Sequence, residues 1–158
     1  MWHLISVVAM CASVLSASEM VPFVPPWDDA SPGPTNLSAG LHKPAGKLGH
    51  VYVKVGHLFA GDQRLRLFGS NLTSSSCFPD HATADKVAAR MAKFGLNAVR
   101  FHFLDSTWGE VRLINYESGD WRNWNADTLD RLDYFIAKLR EHGIYSNLNL
   151  LVGRRFGV

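Results

Sequence analysis

Cysteine is nearly absent. The 158 residues hold Cys11 and Cys77 only, so no disulfide framework staples the chain and no thiolate cluster offers itself to a metal. An excess of charge of one sign is missing too: 16 Lys and Arg stand against 14 Asp and Glu, a formal net charge of +2. Nucleic acids and anionic membranes are met by concentrated basic faces, so neither is an expected partner. There is no long apolar run. The longest, Leu4 to Leu15, has twelve residues, whereas a membrane-spanning helix needs about 20. With Ser16-Ala17-Ser18 behind it, the run reads as a signal peptide over residues 1–18, and the expected destination is secreted or periplasmic. Cys77 is then the one cysteine left, in a loop-like setting beside Phe78 and Pro79. His50, His57, His81, His102 and His142 form neither an i, i+4 helical pair nor a His-x-His strand pair, so no metal is expected. Ser74-Ser75-Ser76 and Gly69-Ser70-Asn71 lack the nucleophile-elbow pattern. No cofactor motif appears.

What is present is an ordinary globular composition, 47% hydrophobic and 19% charged. Residues 19–49 carry prolines 22, 25, 26, 32, 34 and 44 among Gly and Ser, which predicts an extended leader without a regular ladder. The domain proper then runs over 50–158. His50 to Phe59 alternates as one strand, and Gly61-Asp62 turns it into a second strand, Arg64 to Leu72. Thr83 stands before Ala84, Val87, Ala88, Met91 and Phe94, whose three-and-four spacing predicts a helix capped by Thr83 and stopped by Gly95. Ala98 to Phe103 is the next strand. Asn125 or Asp127 caps a second helix with Leu129, Leu132, Phe135, Ile136 and Leu139 on its buried stripe, and Gly143 ends it. Ile144 to Val152 makes a further strand. Strands joined by crossover helices and tight turns predict a parallel α/β fold.

Val99, Phe101 and Phe103 share one face of the Ala98 strand, and Arg100 and His102 share the other. Basic groups near the C-terminal end of a parallel strand fit a ligand site. Asp105 and Trp108 lie just past the strand, and Asn147 and Asn149 occupy one face of the next. The connection 105–125 also holds Tyr116, Trp121 and Trp124. Loops of this length in compact domains are usually functional, and indole rings can stack on the CH faces of sugars.

From Gly56 to Phe156 the sequence resembles the N-terminal part of a cellulase-type glycoside hydrolase, glycoside hydrolase family 5 or a close relative. The resemblance rests on GHLFAGDQRLRLFGSNLT, GLNAVRFHFLDSTWG and LDRLDYFIAKLREHGIYSNLNLLVGRRF, in that order. It implies an incomplete (β/α)8 TIM barrel made of an N-terminal hairpin, the first three parallel strands and two helices, with the C-terminal barrel half missing. It also implies a carbohydrate substrate, a β-linked polysaccharide or oligosaccharide. Arg100 takes the place of the arginine that supports the nucleophile, while His102, Asp105, Trp108 and Asn149 are the expected substrate contacts. The family's two catalytic Glu have no counterpart: Glu19, Glu110, Glu117 and Glu141 follow no Asn. The chain is therefore expected to be inactive alone. A non-catalytic carbohydrate-binding or interaction module using the Trp-rich loop 105–125 is the alternative.

Overall fold

The computed structural model describes residue 24 and residues 26–120 and 122–154. The Leu4 to Leu15 run, Trp121 and Phe156 lie outside the described residues. Among the described residues no helix is long and apolar enough to cross a membrane.

The strands are β1 (Val51–Lys54), β2 (His57–Ala60), β3 (Gln63–Arg64), β4 (Gly69–Thr73), β5 (Ala98–His102) and β6 (Tyr145–Leu148). The helices are α1 (His81–Lys93) and α2 (Ala126–Glu141). The expected incomplete (β/α)8 barrel is overturned. The strands divide into two separate three-stranded sheets, β1-β2-β3 antiparallel and β4-β5-β6 parallel. The reason is local. His50 to Phe59 is not one strand, because the chain reverses at Val55 and Gly56, both with positive φ (49° and 73°). Arg64 then pairs with Phe59 as the rim of that antiparallel sheet. The run Arg64 to Leu72 is consequently cut in two, and the parallel sheet begins only at Gly69. Asn97 holds the link between the sheets: its side chain donates to the Arg66 carbonyl and accepts from the Phe68 N–H, both at 2.7 Å.

The two helices lie on one face of the parallel sheet. Val99 and Phe101 of β5 are fully buried there, against Ala84, Ala88 and Ala92 of α1 and Leu132, Phe135 and Leu139 of α2. Alanines four apart let α1 approach closely. Cys77, Phe78, Leu104, Leu113 and Ile144 complete the core. Asp80, rather than Thr83, caps α1 by accepting the Thr83 N–H at 2.7 Å. Asn125 caps α2 in the same way through Thr128, at 3.1 Å. Phe94, expected in the stripe, is 55% exposed and lies under the Arg90 guanidinium, 4.6 Å from its ring centre.

The leader is tied to the helices by backbone hydrogen bonds. The Leu37 N–H donates to the Lys93 carbonyl (2.9 Å) and the Ala45 N–H to the Arg140 carbonyl (2.8 Å), so this segment satisfies the last turns of both helices. A side chain at Gly95 would meet Leu37 at 3.2 Å, and one at Gly143 would meet the His42 carbonyl at 2.9 Å. Both glycines also have positive φ. Farther back, Asp29 bonds Lys93, and Arg90 lies beside the same carboxylate.

The hydrogen bond from Lys93, and then those from Ser31, hold the Asp29 carboxyl well below its ordinary value of 3.8. Between the lowered value and 3.8 the unfolded chain binds a proton that the folded chain does not. The stabilisation is thus complete above pH 3.8 and fades as pH falls. The expected result is that urea midpoints fall more gently between pH 4 and 2 in Asp29→Asn than in the native chain. Identical slopes would place the acid sensitivity elsewhere.

Candidate functional site

Parallel sheets are ordinarily covered on both faces. Here the helices cover one, and no helix of the described residues covers the other. The registers Asn71↔Arg100↔Asn147 and Thr73↔His102 set a row of polar residues across it. Asn71, Thr73, Arg100 and Asn147 are exposed, and His102 and Asn149 are half-buried. Gly69, Asn71, Arg100 and Asn147 line a 330 Å³ depression on this side.

At the C-terminal end of β5 three side chains interlock. The Arg100 Nε donates to the Asn149 Oδ1 at 3.2 Å, and an Arg100 Nη lies 3.1 Å from the His102 Nδ1. The Asn149 Nδ2 reaches the same Nδ1 at 3.0 Å. Guanidinium and amide nitrogens only donate, so Nδ1 must offer its lone pair and the ring proton sits on Nε2. The His102 Nε2–H is then left as a donor. The Asn149 backbone is fixed as well, its N–H donating to the Phe101 carbonyl at 3.0 Å.

The aromatic wall begins beside this cluster. The His102 ring lies edge-on to Phe103 (4.2 Å between centres), and Phe103 lies 5.1 Å from Trp108. Trp108 is 59% exposed. Its carbonyl accepts from Ser106 at 3.2 Å and Ser74 at 3.4 Å, which fixes the loop that carries it.

The structure thus brings Arg100, His102 and Asn149 together, with Trp108 reached through Phe103. Asp105 is placed elsewhere. It is 6% exposed, and its Oδ1 accepts the Val152 and Gly153 N–H groups at 3.3 and 3.1 Å. Its role is to tie the turn after β6. Asn71 and Thr73 are the members of the face that sequence reasoning passes over, although the alternation of β4 and its parallel register with β5 is a signal that could have found them. Among the described residues no group of three or more His, Cys, Asp or Glu could hold a metal ion.

No family model, curated protein or solved structure matches this chain. The reading of the site rests on its own geometry.

Cys77 lies beneath this region, fully buried, with its Sγ 3.7 Å from the His102 carbonyl. Burial pushes the thiol up to about 12, against the smaller opposing effect of that hydrogen bond. At pH 8 the thiolate fraction is on the order of 10⁻⁴. Ellman's reagent is expected to leave Cys77 of the folded Cys11→Ser variant unmodified over an hour at pH 8 and to label it at once in guanidinium. Rapid labelling of the folded form would show that the core around Cys77 opens.

Proposed function

We propose that the open face of the parallel sheet binds saccharide, and that the chain serves in a secreted glycoside hydrolase acting on β-linked polysaccharide or oligosaccharide. The observation that carries this reading is the Arg100–Asn149–His102 cluster. With Nδ1 of His102 accepting, the cluster is rich in N–H donors, and sugar hydroxyl oxygens are acceptors that suit them. The exposed indole of Trp108 adds a flat apolar surface for a pyranose ring. The choice of a glycosidase over another sugar-binding protein rests on the sequence resemblance.

Glycoside hydrolysis uses a pair of carboxyl groups ~5–9.5 Å apart across the scissile bond. The strand positions on this face are Gly69, Asn71, Thr73, Ala98, Arg100, His102, Tyr145 and Asn147, with Asn149 just past β6, and none of them is a carboxylate. Glu141 bonds Lys138 at the end of α2, and Glu110 and Glu117 belong to the loop after β5. The share of the reaction assigned to these residues is therefore substrate binding.

Calorimetric titration of the chain with cellohexaose and mannohexaose tests this. Saturable binding that weakens at least fivefold in Trp108→Ala, with no reducing sugar released, is the expected result. Absence of binding to every β-linked oligosaccharide tried would end the proposal, and release of reducing sugar would show that carboxyl groups of this chain do reach the bond.

A further inference from the structure

We infer that the chain has a second binding site, for a phosphate or sulfate group, at the opposite end of the parallel strands. A 220 Å³ cavity lies there, lined by His42, Arg64, Arg66, Asn97, Gly143 and Tyr145 among others, with no carboxylate among the described residues that line it. Its walls are fixed before any ligand arrives. Arg64 is held in β3 opposite Phe59, and its Nη lies 3.1 Å from the His57 Nδ1. The Arg66 carbonyl is held by Asn97. On the far side the segment bearing His42 is pressed against the turn at Gly143.

Arg90, Arg112, Arg122 and Arg131 each face a carboxylate. Among the described residues no ion pair engages Arg64 or Arg66, nor Arg100 or Arg140, but Arg64 and Arg66 share one cavity. The surrounding sequence is one-sided: residues 41–66 hold Lys43, Lys47, Lys54, Arg64 and Arg66 against Asp62 alone, so this stretch is +4 in a chain whose total is +2. Guanidinium forks match the oxygens of a tetrahedral oxyanion. The Tyr145 hydroxyl accepts from the Gly46 N–H at 3.3 Å and keeps its own proton to donate. The site goes beyond the saccharide face, because Asn97 precedes His102 by five residues, roughly 16 Å along a strand.

Free phosphate and the ester of a phosphorylated or sulfated sugar present the same group, and the experiment separates them. The ¹⁵N-labelled full chain is titrated at low ionic strength with inorganic phosphate, inorganic sulfate and glucose 6-phosphate, with sodium chloride as control. Saturable shifts at Asn97 and Tyr145 are expected, weakened at least tenfold in Arg66→Gln and in Arg64→Gln and unchanged in Arg131→Gln, which removes the same charge from α2. Equal affinity for all three oxyanions would assign a free-ion site, and tighter binding of the sugar ester would assign a phosphorylated ligand. Shifts that chloride reproduces, or that survive both substitutions, would overturn the site. Because the saccharide face is read out through Trp108→Ala, failure of either site leaves the other standing.

Discussion

Phe101→Ala is expected to lose about 3–5 kcal/mol of unfolding free energy, the largest effect of any single substitution considered for this chain. The side chain is fully buried. It points from β5, the central strand of the parallel sheet, onto α2, where its ring meets that of Phe135 edge-on at 5.9 Å and 79°. Truncation removes this aromatic pair and leaves a cavity whose walls belong to a sheet on one side and a helix on the other, neither of which collapses freely. Equilibrium unfolding in urea gives the number. Phe101→Leu, which refills most of the volume, should recover more than half of the loss. A cost below 1 kcal/mol for the alanine variant would mean that β5 and α2 are not packed as described.

Arg100→Ala should have the second largest effect, on ligand rather than on folding. The side chain is exposed, so its removal should leave the urea midpoint within the error of measurement. Its two contacts, to Asn149 and to the His102 Nδ1, hold the cluster in shape. Without the guanidinium, His102 loses one of the two donors that fix its proton on Nε2. Loss of a charged hydrogen-bonding group costs ~1.5–3 kcal/mol, so oligosaccharide affinity should fall about tenfold or more. The ¹⁵N shifts of the His102 ring separate a positioning role from a simple lost contact. Mixed tautomers in Arg100→Ala, against the Nε2–H form in the native chain, are the expected signature. An unchanged tautomer with unchanged affinity would remove Arg100 from the site.

Local pattern carried much of the architecture. The alternation of Val99 and Phe101 with Arg100 and His102 identifies a strand with unlike faces, and the spacing of Leu132, Phe135 and Leu139 identifies α2. Arg100, His102 and Asn149 were legible as one cluster for the same reason, since period two puts them on a common side once β5 and β6 are in register. What pattern does not contain is which neighbour a strand chooses. Arg64 and Leu72 read as one continuous strand, yet the first pairs backward with Phe59 and the second forward with Phe101. Nothing in an alternation of side chains marks where backbone hydrogen bonds change partner. The Val55-Gly56 reversal was hidden because valine is rarely found at positive φ. Asp105 was misplaced because a carboxylate beside a strand end looks the same whether it faces a cleft or accepts from the backbone of the next turn.

The leader's two bonds to the helix ends have a kinetic consequence. Fraying normally begins independently at each helix terminus, one turn at a time. Here Leu37 and Ala45 sit eight residues apart on one strap and close α1 and α2 respectively. Unzipping either end tugs on the other's fastener, so the two termini should exchange their amide hydrogens as one cooperative unit, more slowly than two separate ends would.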